Sequence, residues 1–290
     1  MASSFFQSKS DDIFAAMFFF VAMLVTAGIA YFKGYFKIGK SEALDIKVRD
    51  IISIFFIYFF TYFFLGYLVI IYLKNIGINF IFSNKIFLVL SFCINLLTLV
   101  FISFYCSVYK KRILYPLVNT NSSKLFFKNA IIGMASWLVV FPAISFITSI
   151  SELLVYYFFN VTKLPNQTAI DFLNRSLSTH LYFVLAIIQI AIFAPIIEEI
   201  IFRGFLYNFI KKILNRNAAI ILSSLAFGAL HYSPYQKLAN IYIVTSIAFF
   251  GVFLSLIYER QKSLISPIFL HFAFNSLSLL NLVFFKGDSV

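Results

Sequence analysis

Eight stretches of nearly uninterrupted apolar residues, most of them close to twenty long, govern what this chain can fold into. They fall at about 13–32, 51–73, 86–108, 129–158, 181–202, 218–232, 239–258 and 264–285. A helix of about 20 apolar residues crosses the roughly 30 Å hydrocarbon layer of a bilayer. The composition agrees: 62% of the residues are apolar and only 12% charged, against about 25% charged in a soluble domain. The fold class read from this pattern is all-α, a polytopic transmembrane helix bundle of about eight spans in contact with the lipid bilayer. The fourth run contains Pro142, where a kink or a continuation along the interface is expected. The sixth is short and ends at Ser233-Pro234.

A net charge of +12 invites a nucleic-acid reading. The bases, however, lie between the apolar runs rather than on a soluble face, so no nucleic-acid partner is expected. Loops one, three, five and seven hold 5, 5, 4 and 2 basic residues, 16 of the 23 in the chain. Short loops rich in Lys and Arg stay in the cytoplasm, so the odd loops are expected there and both termini outside. The abundance of Phe, Ile, Asn and Lys fits an AT-rich genome, and the expected location is the bacterial plasma membrane. Cys93 and Cys106 stand thirteen residues apart on one expected helix, roughly 20 Å along its axis. That is too far for a disulfide.

The first 180 residues, about four spans, offer no chemistry. Residues 181–290 do. Ionisable side chains within apolar runs are costly and mark function, and three segments carry them: EEIIFRG at 198–204, FGALH at 227–231 and HFAFN at 271–275. Glu199 and Arg203 are four apart and can pair on one helical face. Glu198 is turned about 100° away and lacks that partner, which suits a general base. A plain charge cluster at a helix end explains this segment equally well. Glu198 and His231 are equidistant from Leu214-Asn215, inside the best turn between the fifth and sixth runs. An antiparallel hairpin folded there sets the two level, each roughly 25 Å from its tip, where they can share a water molecule. His271 and Asn275, at i and i+4, can offer two N–H donors to a developing oxyanion, or simply bond helix to helix.

These three segments resemble the CPBP family, which comprises type II CAAX prenyl endopeptidases, bacteriocin-processing enzymes and Abi proteins. The family pattern is Glu-Glu-x-x-x-Arg, then Phe-x-x-x-His, then His-x-x-x-Asn, and this chain has every pattern position in that order. The resemblance implies an intramembrane endopeptidase acting on a membrane-associated peptide or protein. In it Glu198 and His231 would activate water, His271 and Asn275 would form the oxyanion hole, Glu199 and Arg203 would support them, and Phe227 would shape the site. The family is often labelled metalloprotease. Glu198, His231 and His271 could form a three-ligand zinc set with an open position, and a metal-free, glutamate-activated water fits the same residues.

Two other readings use the same residues. A non-catalytic membrane scaffold or bacteriocin-immunity protein could keep them to hold helices together. A transporter could relay protons through them, but no repeated halves are detectable in the sequence, as inverted-repeat transporters would show.

Overall fold

The computed structural model describes residues 2–39, 41–76, 84–110, 113, 123–161 and 180–285. Lys40, Lys111 and Arg112 of the charge-rich loops, and most of the second even loop, lie outside them. Each of the eight apolar runs is helical: α1 (Ala2–Phe32), α2 (Val48–Asn75), α3 (Asn84–Tyr109), α4 (Ser123–Phe159), α5 (His180–Ile213), α6 (Arg216–Ala229), α7 (Ala239–Gln261) and α8 (Ile265–Phe285). No strand occurs among the described residues.

Six of these helices are long and apolar enough to cross a membrane. With the large apolar side chains they leave exposed, such as Phe14 and Phe18 on α1 and Leu138 on α4, they make the chain an integral membrane protein. The sixth run is short, as expected, and its helix ends before the run does. Helix α6 has 14 residues, about 21 Å, and stops two residues before His231. Beyond it the chain turns through residues 230–238, where the Asn240 carboxamide bonds both backbone groups of Ser233 and the carbonyl of Lys237. Helix α4 runs unbroken through Pro142 for 37 residues.

The long α4 is the pillar of the bundle and packs against α1, α7 and α8. Helix α5 fits between α3, α6 and α8, and α2 packs on α3 and α5. Small residues let the backbones approach closely, as is usual where lipid gives helices no hydrophobic reason to associate. A Cβ on Gly133 of α4 would stand 2.3 Å from the Ser266 carbonyl oxygen of α8, and one on Gly228 of α6 would stand 2.7 Å from Ala248 of α7. Buried polar side chains add directional ties. Asn95 of α3 binds Tyr62 of α2 and donates to Gln189 of α5 at 3.2 Å, while Thr98 donates to Thr61 at 2.8 Å.

The charge-rich loops meet at one end. Lys212 pairs with Asp45, Lys211 with Glu259, and Lys110 with Asp50. Leu44 N–H donates to Asn208 Oδ1 at 3.0 Å and Ser41 donates to Glu259 at 2.6 Å. Parts of loops one, three, five and seven thus share one side of the bundle, as alternating spans require.

Gly133→Ala should lower the unfolding free energy by about 1–3 kcal/mol, the range for overpacking, whereas Gly28, with nothing within 4 Å of an added Cβ, should tolerate alanine. Thermal unfolding of the two detergent-solubilised variants distinguishes them; equal behaviour would contradict the α4–α8 contact.

Candidate active site

Helix α5 is not a uniform α-helix. It is π-helical over Gln189–Phe193 and again over Ile200–Tyr207, on either side of the short α-helical piece Ala194–Glu199. Pro195 accounts for the first stretch. It has no N–H and its ring crowds the carbonyl four residues back, which favours the wider turn. Ala194 N–H bonds the Gln189 carbonyl in the i→i+5 manner, and the next donor in that series would be Pro195, which has none. The Ile190 carbonyl is left over, and Asn275 Nδ2 of α8 donates to it at 2.8 Å. In the second stretch the Asn208 side chain donates to the carbonyls of Arg203 and Gly204. Short π-helical insertions occur frequently at functional sites.

The expected Glu199–Arg203 pair is present. Arg203 Nη1 lies 3.0 Å from Glu199 Oε1, both side chains are wholly buried, and Nη2 donates to the Gly251 carbonyl of α7 at 3.0 Å. The guanidinium also lies over the Phe227 ring, 4.6 Å from its centroid. His271 was expected to act as a donor beside Asn275; its closest charged neighbours are the two glutamates. Its Nδ1 is 3.0 Å from Glu199 Oε1 and its Nε2 is 3.8 Å from Glu198 Oε2. A carboxylate oxygen accepts, so Nδ1 carries the proton toward Glu199. Glu198 Oε2 has no hydrogen-bond partner among the described residues, and its side chain retains 18% exposure.

The hairpin turns where the spacing predicts. Leu214 ends α5, and Asn215 caps α6 by accepting from Ala218 N–H at 2.9 Å. His231 lies just past the end of α6, half-buried. Its Nδ1 is 2.9 Å from the Phe227 carbonyl; since a carbonyl only accepts, Nδ1 carries the proton and Nε2 remains an acceptor. Glu198 and His231 form no direct ion pair. Phe227 stands between the two histidines, its ring centroid 5.1 Å from that of His231 and 5.8 Å from that of His271. Sequence spacing within the last four helices missed α2, whose Phe55 ring packs edge-to-face on Phe202 of α5, four residues after Glu198. A ring contact across helices leaves no local spacing to detect.

The three-ligand metal set of Glu198, His231 and His271 does not converge. The described residues contain no group of three His, Cys, Asp or Glu side chains placed to hold an ion. Nδ1 of each histidine is committed to another acceptor, which leaves Nε2 as the nitrogen of each ring that can meet a further group.

Residues 180–277 match the family model described as "Type II CAAX prenyl endopeptidase Rce1-like". This segment is similar to the Rce1-like family. It begins at the first residue of α5, extends into α8, and contains all seven residues singled out by the sequence. The chain is also similar to "UPF0177 protein YajF" of Lactococcus lactis subsp. lactis, 31% identical over 44% of this chain and 56% of the relative. The "UPF0177 protein in abiGi 5'region" of Lactococcus lactis subsp. cremoris is 38% identical over 31% of this chain and 35% of the relative. The protein named "Putative membrane peptidase YdiL" of Bacillus subtilis is 35% identical over 32% of this chain and 35% of the relative. The chain thus spans from about a third to just over half the length of these relatives. No solved structure is significantly similar.

Arg203→Met should lower stability by about 3–5 kcal/mol, because it strands the buried Glu199 carboxylate without its cation. Chemical or thermal unfolding in detergent measures it, and a loss below about 1 kcal/mol would mean that Glu199 is not held as a buried charge.

Proposed function

We propose that the chain is an intramembrane endopeptidase that hydrolyses peptide bonds in membrane-associated peptides or proteins with a Glu/His-activated water. The observation that carries this reading is the junction of α5, α6 and α8, where an unpaired carboxylate oxygen of Glu198 faces His271 within a lipid-embedded bundle. Residues 181–290 form the catalytic core and the first four helices enclose it. The odd-loop end is cytoplasmic, both termini are outside, and the membrane is the bacterial plasma membrane, in keeping with the bacterial relatives.

In this mechanism Glu198 takes a proton from water as the water oxygen attacks the scissile carbonyl, and His231 Nε2 orients that water by accepting its other hydrogen. The carbonyl oxygen becomes an oxyanion. Asn275 has two amide hydrogens; one holds the Ile190 carbonyl and the other is available to the oxyanion. His271 has Nδ1–H committed to Glu199, so Nε2 donates only when the ring is protonated. The charges balance under that condition, with Glu198 and Glu199 offset by Arg203 and the imidazolium. Collapse of the intermediate breaks the C–N bond, and Glu198 returns its proton to the departing amine. Donors fixed in advance at the site of developing charge contribute more here than they would in water.

A second reading, a non-catalytic scaffold or immunity protein, draws on the use of Glu199, Arg203 and Asn275 as ties between α5, α7 and α8. Glu198 separates the two, because its Oε2 holds no hydrogen bond among the described residues and faces His271 at 3.8 Å.

Glu198→Gln should reduce turnover about 10²–10⁴-fold, the usual contribution of a general base, and His231→Ala should act in the same direction. Comparing membrane peptidomes of cells carrying wild type or Glu198→Gln, with insertion checked in parallel, reads this out. Unchanged peptide profiles together with intact complementation by Glu198→Gln would favour the scaffold.

A further inference from the structure

Away from the Glu/His cluster, the end of the bundle where the charged loops meet contains a cavity of about 810 Å³ between the segment after α1, the tip of the α5–α6 hairpin and the end of α7. Its wall includes Ser41, Glu42, Lys211, Arg216, Glu259 and Lys262. The deeper groups satisfy one another. Glu259 is paired with Lys211 and receives a hydrogen bond from Ser41. Asn208, also in the wall, accepts from Leu44 N–H and donates to Tyr258 Oη at 2.8 Å. Just beyond the wall, Asp45 is taken by Lys212.

The outer cations are not matched in this way. Among the described residues neither Arg216 nor Lys262 forms an ion pair, and Arg216 reaches only the Gly39 carbonyl, at 3.4 Å. Lys262 stands at a left-handed position, φ 53°, where the chain turns from α7 into α8, and its side chain is exposed. Two cations from separate segments therefore border one cavity whose inner acid is already neutralised. Glu42 is the remaining acid in the wall, which leaves the rim net positive.

We infer that this cavity binds a phosphate group, supplied by the headgroup of an anionic phospholipid at the membrane surface. Basic pockets between transmembrane helices are suited to such headgroups. A guanidinium presents a planar fork that matches phosphate oxygens, and an ammonium adds a compact point charge. The cavity is wide enough for a glycerophosphate as well as the phosphate itself. Ile213 and Leu214, exposed at the hairpin tip just before Arg216, offer apolar surface near the cation for the start of the acyl chains. The inference is independent of any catalytic activity.

Lipid retention tests it with the full chain purified in a neutral detergent. Native mass spectrometry would count bound phosphatidylglycerol against phosphatidylcholine, and inorganic phosphate would serve as the soluble probe. The wild type should retain phosphatidylglycerol selectively. Arg216→Gln combined with Lys262→Gln should lower its occupancy about 10- to 30-fold, as expected for two surface cations, and each single change should lower it by less. Lys124→Gln, an exposed base outside the cavity, should leave retention unchanged. Competition by inorganic phosphate that is lost in the double variant supports the phosphate site, and binding of inorganic phosphate without phosphatidylglycerol would identify a soluble phosphate as its source. Equal retention by wild type and double variant, or equal losses in the double variant and Lys124→Gln, overturns the inference.

Discussion

The arrangement of the last four helices depends on one buried ion pair. Glu199 and Arg203 lie fully out of contact with solvent in a bundle surrounded by lipid, where an isolated charge is among the costliest groups a protein can carry. Each therefore needs several partners, and the partners come from different helices. Arg203 takes the Gly251 carbonyl of α7 and the Phe227 face of α6, while Glu199 takes His271 of α8. Satisfying two charges thus fixes three helices around α5. The orientation of His271, and with it the direction in which its second nitrogen faces, follows from that requirement.

The same physics produces the opposite arrangement at the charged end. There the ion pairs are closer to water and draw the segment before α2 across the hairpin tip and the end of α7. Asn208 links the two regions. One end of its carboxamide holds Leu44 of that segment, and the other holds the Arg203 and Gly204 carbonyls. A buried side chain of four atoms thus joins the surface network to the π-helical turn that contains Arg203.

Much of this was legible in the sequence because it depends on spacing along a single helix. The apolar runs located all eight helices, the Lys-Lys-Ile-Leu-Asn-Arg-Asn stretch located the hairpin tip at Leu214 and Asn215, and the i,i+4 rule gave the Glu199–Arg203 pair. What it did not give depends on how one helix is rotated against another. The His271–Glu199 contact joins residues 72 apart, and the Phe55–Phe202 ring contact joins α2 to α5 across the bundle. Asn275 is a case between these. Its bond to Ile190 exists because Pro195 cannot donate, so the signal was present in the fifth run, but reading it requires recognising that the helix widens there. The sixth helix is short, as its run indicates, but it begins at Arg216 and ends at Ala229, because an apolar run continues past the point where regular backbone hydrogen bonding stops.

The shortness of α6 has a consequence for how the chain is held beside α7. Helices α6 and α7 share one cavity wall at the charged end, yet α7 has 23 residues and α6 only 14, so α7 extends about 13 Å farther across the bilayer. Residues 230–238 cover that difference with turns and a single 3-10 turn at Pro234–Gln236, so their backbone groups need partners outside an α-helical ladder. Asn240 satisfies part of this need, and the N–H groups of Leu230, His231, Tyr232 and Gln236 bond nearby backbone carbonyls. The early end of α6 thus places His231 at the start of an irregular stretch held by its own turns, with Tyr232 and Tyr235 exposed beside it.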